Sequence, residues 1–385
     1  MKSVISIVAI TVFAVGSVAA FKGHSNDKNA RKGAHEVVRS VAAAPNVTVT
    51  FCAMAGQITV RGWAKNEVRA RSSEVEEIDL RRVEIPGEQS ALAKKIDVFI
   101  DDKGEGGRPR ADCQASADVD LDVPQGATVQ IQTRDGDISI VGVTAAYAGS
   151  QNGDISIDHV SQKIEAGSIG GSISIKNSSG RVTLTTAGGG IEASNITPVE
   201  ADDSFEVISV SGDIQLEKVS QAKLNAKSVT GNINLMGALA HKGEYGFNTM
   251  SGDVTLALPA DASFRLVAKL SQDGEIITDF PLTMTTETIS QAKAQKTPEA
   301  KCAAPVTPPT TVAPTPTPTP SPKPAKPEKP APGNVTIVRV APAIKVNPMT
   351  VTVPYMLRRV IAVHGSGDAA ISVASFSGTL HLQKN

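Results

Sequence analysis

Asp137, Asp154, Asp213 and Asp253 each follow a glycine and precede an apolar-polar-apolar triplet, so one position of a recurring phrase carries a carboxylate. A stack of such carboxylates could hold calcium, or supply the acid and base of a polysaccharide-cleaving site. Three further copies put Ser172, Gly190 and Asn232 at that position. An interrupted ladder of this kind fits turn capping better than a metal cage. Asp158-His159 and Asp202-Asp203 adjoin in connecting segments and read as solvated loops. The six histidines, at 24, 35, 159, 241, 364 and 381, show no pair at metal-ligand spacing, and GxSxG, Walker, HExxH and CxxC sequences are absent. The glycine-rich stretch from Asp101 to Gly107 lacks GxGxxG spacing, carries three acids and runs into Arg108-Pro109, which makes it an exposed turn and not a phosphate cradle. The residues therefore predict a non-enzyme, with no catalytic residue, no metal ligand and no cofactor.

The elements that carry these residues are clearer than their chemistry. Aligned on Gly136, Gly153, Gly171, Gly189, Gly212, Gly231 and Gly252, the copies are spaced by 17, 18, 18, 23, 19 and 21 residues. That variation excludes a strict nine-residue calcium roll. Seven residues before each glycine stand Val129, Ala146, Ile164, Val182, Phe205, Leu224 and Tyr245, and five before it Ile131, Ala148, Ala166, Leu184, Val207, Ala226 and Phe247. Three before it there is always a hydroxyl: Thr133, Ser150, Ser168, Thr186, Ser209, Ser228 and Thr249. Period-two spacing puts these on one face of a strand, and the apolar pair after the glycine forms the matching face of the next. The glycine is expected to supply positive φ in the turn, and the hydroxyl to bond local backbone.

One strand pair cannot bury its apolar face alone, so neighbouring copies must stack. The sequence predicts an all-β fold, a parallel β-solenoid or β-helix of 17–23-residue repeats, with Ser139, Ser156, Ser174, Gln215, Asn234 and Thr255 outside. A meander of hairpins is the competing geometry, because Asp135-Gly136 and Asn152-Gly153 are good two-residue hairpin turns. Aromatic residues make up only 3% of the chain, which suits thin stacked layers of Ile, Val, Leu and Ala. An early copy stands at Gly56 and a late one at Gly378, where Ile371, Val373, Ser375, Leu380 and Leu382 hold the repeat positions.

The chain opens with Met1-Lys2, an apolar run from Val4 to Val15 and the small residues Val18-Ala19-Ala20, the pattern of a secretory signal peptide over residues 1–20. With that segment cleaved no transmembrane segment is expected, and the product is exported: periplasmic, on the cell surface or extracellular. In such a compartment Cys52 and Cys113 are expected to pair and Cys302 to stay free, one of three pairings open on paper. A balance of 38 Lys plus Arg against 39 Asp plus Glu gives no support to a nucleic-acid partner.

Residues 21–45 form a polar basic segment with a strand near Val37 to Val41, and residues 46–290 the repeat domain. The linker over residues 291–333 is rich in Pro, Thr and Lys, and its tract from Ala303 to Gly333 reads as a polyproline spacer of up to about 95 Å, at roughly 3.1 Å per residue. The C-terminal β segment, residues 334–385, has five Lys or Arg against one acid. Its repeat is expected to cap an end of the solenoid or to form a small tethered module, since an unstacked copy would leave its apolar face wet.

Gly56-Gln57-Ile58-Thr59-Val60-Arg61-Gly62-Trp63 followed by Glu67-Val68, the lead-in Val123-Pro124-Gln125-Gly126-Ala127, and the Gly-Asp-Ile-x-Ile repeats together resemble the bacterial putative-adhesin family of β-strand-repeat proteins over residues 46–290. The resemblance implies a secreted or periplasmic β-solenoid with no catalytic residues to transfer. The expected role is a non-catalytic scaffold that contacts a glycan, the cell wall or a surface protein. A structural or self-assembling spacer is the first alternative, and a carbohydrate-active β-helix enzyme the second.

Overall fold

A computed structural model describes residues 36–83, 92–101, 113, 115–271, 274–289 and 357–385. The signal-peptide expectation, Cys302 and the proline tract lie outside the described residues. The strands are β1 Val37–Ala55, β2 Ile58–Trp63, β3 Glu67–Ser72, β4 Glu77–Arg82, β5 Ala93–Asp101, β6 Val119–Pro124, β7 Thr128–Asp135, β8 Ile138–Val141, β9 Ala145–Ser150, β10 Ile155–Asp158, β11 Lys163–Ser168, β12 Ile173–Ser179, β13 Arg181–Thr186 and β14 Ile191–Thr197. They continue with β15 Ser204–Ser211, β16 Ile214–Val219, β17 Lys223–Thr230, β18 Ile233–Met236, β19 Glu244–Ser251, β20 Val254–Leu258, β21 Phe264–Leu270, β22 Ile276–Thr278, β23 Thr283–Ile289, β24 Leu357–His364, β25 Ala369–Ser377 and β26 Leu380–Lys384. There is no helix among the described residues.

Each copy contributes one strand before its glycine and one after it. The strands before the glycine stack in parallel as a lead sheet, β7-β9-β11-β13-β15-β17-β19, and those after it as a trailing sheet, β8-β10-β12-β14-β16-β18-β20. The two strands of one copy do not pair: β8 pairs β10 and β2, which excludes the hairpin meander. The fold is the expected parallel β-solenoid. Val129, Ala146, Ile164, Val182, Phe205, Leu224 and Tyr245 are cross-strand partners in sequence, and all are buried. In the trailing sheet the matching ladder is Ile138, Ile155, Ile173, Ile191, Ile214, Ile233 and Val254. Period-two alternation aims both ladders at one core between the sheets, each apolar side chain contributing about 1.5–3 kcal/mol.

On five rungs a second corner lies in or just after the C-terminal part of the trailing strand. Gly142 (φ 74°), His159 (54°), Asn177 (46°) and Asn195 (55°) all hold the left-handed conformation there, as does Lys218 (53°). That turn swings the following residue inward, and Val143, Val160, Ile196 and Val219 are buried as a result. Asn177 Nδ2 donates to Asp158 Oδ1 at 3.1 Å, and Asn195 Nδ2 donates to Asn177 Oδ1 at 3.1 Å, so the corner carries its own side-chain ladder.

At the N-terminal end β1 serves both sheets. Its first residues pair antiparallel with β3, and after a register shift between Ala43 and Thr48 it runs parallel to β5 and β7. The early copy at Gly56 is the rung beneath Gly136, with Ile58 against Ile138. Cys52 and Cys113 form a disulfide across a sequence separation of 61.

The late copy neither caps an end nor stands apart. β25 lies between β19 and β21, and β26 between β20 and β22, parallel on both sides. β24 then runs antiparallel between β21 and β23. The physical reason is register: Ile371 meets Tyr245 on one side and Leu266 on the other, so the tail's repeat positions match both neighbours.

Candidate functional site

The turn at each glycine is a set of hydrogen bonds between rungs. Ser168 Oγ donates to the Gly153 carbonyl of the preceding rung at 3.1 Å and accepts from Gly171 N–H in its own turn at 2.9 Å. Ser150 does the same with Gly136 and Gly153, at 3.2 and 2.8 Å, and Thr186 with Gly171 and Gly189, at 3.0 and 3.2 Å. These hydroxyls are buried, so the bonds reach beyond local turn chemistry and tie successive rungs.

The carboxylates work in the same direction. Asp137 Oδ1 accepts from Asp154 N–H at 2.9 Å, Asp154 Oδ1 from Ser172 N–H at 2.7 Å, and Asp213 Oδ1 from Asn232 N–H at 2.8 Å. Asn232 Oδ1 serves equally, accepting from Asp253 N–H at 2.9 Å. An amide oxygen replaces a carboxylate oxygen without loss of the bond, which explains how Asn232 serves at a position that Asp holds in four other copies. No group of His, Cys, Asp and Glu that could hold a metal ion exists among the described residues.

The glycines stack too, though mostly for a different reason from the expected one. Among Gly56, Gly136, Gly153, Gly171, Gly189, Gly212, Gly231, Gly252 and Gly378, only Gly56, Gly252 and Gly378 have positive φ. What the others need is space: a Cβ on Gly171 would stand 2.1 Å from the Gly153 carbonyl oxygen, and one on Gly153 would stand 1.9 Å from that of Gly136.

The loop pairs singled out for chemistry are engaged locally. Asp203 is buried and accepts from the N–H groups of Val199 and Glu200 at 2.9 and 2.8 Å, while Asp202 pairs with Arg181 at 3.2 Å. His159 Nδ1 lies 2.8 Å from Asp158 Oδ1 on the exposed corner.

The outer face of the trailing sheet offers a surface of another kind. Over β14, β16, β18, β20 and β26 it holds a shallow groove of about 360 Å³ lined by Glu192, Ser194, Gln215, Glu217, Asn234, Met236, Thr255, Ala257 and Gln383. Gln215, Asn234 and Thr255 are outward residues the repeat pattern picked out. Glu217, Met236, Ala257 and Gln383 form a second outward row two residues further on, in mutual register. The period-two rule could have found that row, but Gln383 joins it only because the late copy is an interior rung. Met236 is 48% exposed on the groove. Glu192 and Glu217 each have an ammonium partner, Lys176 at 3.8 Å and Lys218 at 3.2 Å. The groove therefore combines amide donors and acceptors, paired carboxylates and an apolar patch.

Residues 150–304 match the family model described as Toastrack DUF4097. This part of the chain is similar to the Toastrack family. The Toastrack match begins at Ser150, the first hydroxyl to make both turn bonds, and takes in the rungs that carry the groove apart from β26. The β-strand-repeat family expected from the Gly-Asp-Ile phrases is thereby borne out, while the rungs at Gly56 and Gly136 extend the stack on one side of the Toastrack segment and residues 357–385 lie beyond it in sequence. Among solved structures the chain is similar to a putative cell adhesion protein from Clostridium sporogenes, at 8% identity and a TM-score of 0.20, covering 91% of this chain and 99% of that one. That level is too low to establish a common fold. No curated protein matches the sequence.

Proposed function

We propose that this protein is an exported, non-catalytic β-repeat scaffold of the cell surface or periplasm, and that the trailing-sheet groove holds an extended glycan, such as a cell-wall polysaccharide. One observation carries the reading: Gln215 and Asn234 stand on neighbouring rungs in one row, with Glu217, Met236 and Gln383 in the row beside it. Rungs repeat at about 4.8 Å, so a polymer of hydroxyl-bearing units lying along the stack meets an amide or carboxylate on β14, β16, β18 and β26 and the Thr255 hydroxyl on β20. Amides both donate and accept, matching sugar hydroxyls, and the polarisable Met236 thioether suits the apolar face of a sugar ring. Many weak polar contacts on a rigid face give binding without a reaction. Among the described residues no helix is long and apolar enough to cross a membrane.

A cell-wall pull-down and a glycan array on the chain without residues 1–20 test this. Retention on a polysaccharide that drops at least tenfold in the Gln215→Ala/Asn234→Ala double variant, with melting unchanged, is the expected result. Retention equal in the variant and the parent would move the ligand off this face, and no retention on any glycan would end the reading.

A further inference from the structure

The rung formed by β25 and β26 is consecutive in space with β19/β20 and β21/β22 but not in sequence. β20 and β21 follow one another directly in the chain, and the C-terminal rung is wedged into the slot between them. Its backbone and core contacts there are non-covalent and follow the repeat, with side-chain contacts such as Lys384 N–H to Asp279 Oδ2 at 3.2 Å added. Gly252 N–H donates to the Ser377 carbonyl at 2.9 Å, Val254 N–H to the Thr379 carbonyl at 3.0 Å, and Ala370 N–H to the Gly243 carbonyl at 2.8 Å. Ile371, Val373, Leu380 and Leu382 fill the core at the repeat positions.

The covalent connection is oddly long for this placement. Ile289 and Leu357 are Cα partners in the antiparallel pair β23–β24, a junction that a hairpin closes with two to five residues in general. The chain places residues 290–356, 67 in all, between them. Raising a connection from about four residues to 67 lowers the effective concentration at which a segment meets its own slot by roughly 70-fold, taking the −3/2 power of length. Effective concentrations for linked segments are in the millimolar range when linkers are short, so the longer connection brings the segment's own slot within reach of competition from dense neighbours. A free copy of this chain presents a segment of the right register and sequence, and identical elements exchange between protomers at low cost because every contact is re-made.

From these observations we propose that the C-terminal rung is exchangeable, and that a second copy of this chain donates its β24, β25 and β26 into the slot between β19/β20 and β21/β22. Reciprocal donation closes a dimer, and one-way donation links copies into chains. The proposal does not depend on the groove reading.

Disulfide trapping tests it on the full chain with Cys302→Ser as background. Asn248 and Ala374 are register partners on the outer side of the lead sheet, within Cα reach of a disulfide. At low concentration the double variant Asn248→Cys/Ala374→Cys must close within one chain, which verifies the rung's position; failure to form the disulfide overturns the proposal. An equimolar mixture of the two single variants is then incubated at low and high concentration and oxidised. Exchange predicts a disulfide-linked dimer of the two chains that grows with concentration toward about half of the Asn248→Cys chains, the statistical share for random donors in an equimolar mixture. Dimer no greater than that from Ala374→Cys mixed with Ser156→Cys, a cysteine on a distant exposed rung, shows that the rung stays with its own chain and overturns the proposal.

Discussion

The backbone N–H of Thr379 donates to Asp253 Oδ1 at 2.7 Å across 126 residues of sequence. It is the bond that Asp154 N–H makes to Asp137 Oδ1 across 17 residues. The cap treats the distant copy as the next rung, so removing that rung should be costly. Deletion of residues 357–385 withdraws Ile371, Val373, Leu380 and Leu382 from the core, at about 1.5–3 kcal/mol each. Melting, followed by scanning calorimetry, is expected to fall by about 10 °C or more. Unchanged melting would contradict an interior rung.

The hydroxyl column gives a sharper comparison. Ser168→Ala leaves the Gly153 carbonyl and the Gly171 N–H without their buried partner and is expected to cost about 1–3 kcal/mol in denaturant unfolding. Ser156→Ala, on the exposed outer face of β10, should stay within about 0.5 kcal/mol. Equal costs would mean that the hydroxyl column does not tie the rungs.

Glycine spacing can be separated from glycine conformation. Gly171 lacks a positive φ, yet a Cβ there would stand 2.1 Å from the Gly153 carbonyl oxygen. Gly171→Ala should force the rungs apart at a cost of about 1–3 kcal/mol or more. At Gly149 a Cβ would meet its nearest atom, on the Gln132 side chain, at 3.7 Å, and Gly149→Ala should be nearly neutral. Thermal melts of the two variants make the test.

The disulfide Cys52–Cys113 closes a separation of 61 residues. On the chain-entropy relation its loss costs about 4 kcal/mol. Unfolding with and without reductant should show that difference, and the Cys52→Ser/Cys113→Ser variant should match the reduced parent.

Tyr245 supplies a pH dependence. Burial raises its phenol above the ordinary 10.0, against a hydrogen bond from Ala240 N–H that lowers it. The unfolded chain therefore loses this proton first as pH rises. The stability the neutral phenol contributes is complete below pH 10 and declines as pH climbs through the raised folded value. Difference titration of tyrosinate absorbance between the parent and Tyr245→Phe should show a transition above the ordinary tyrosine range; a transition at the ordinary value would refute the burial effect.

Much of the architecture was readable because both turns and ladders are local. The period-two apolar pairs and the hydroxyl three residues before each glycine forecast which side chains face the core, and every rung from Val129 to Tyr245 obeys them. The second corner was hidden, since its left-handed position is filled by Gly142, His159, Asn177, Asn195 and Lys218, a set with no common side-chain type. The groove was partly visible: its first row follows from the repeat and period two extends it to Glu217, Met236 and Ala257, while Gln383 needed the stacking order.

By itself the sequence determined that each copy is strand, turn, strand, with a defined inner face, because side-chain period and turn chemistry depend on residues only a few positions apart. It also determined that the tail after the proline tract speaks the same language, at Ile371, Val373, Ser375 and Gly378. Only the tertiary structure decided where that tail goes. Rungs in one register present nearly identical edges, so no local pattern ranks one neighbour above another. In the folded chain the last copy lies between β19 and β21, with Ile371 in register with Tyr245 and Leu266.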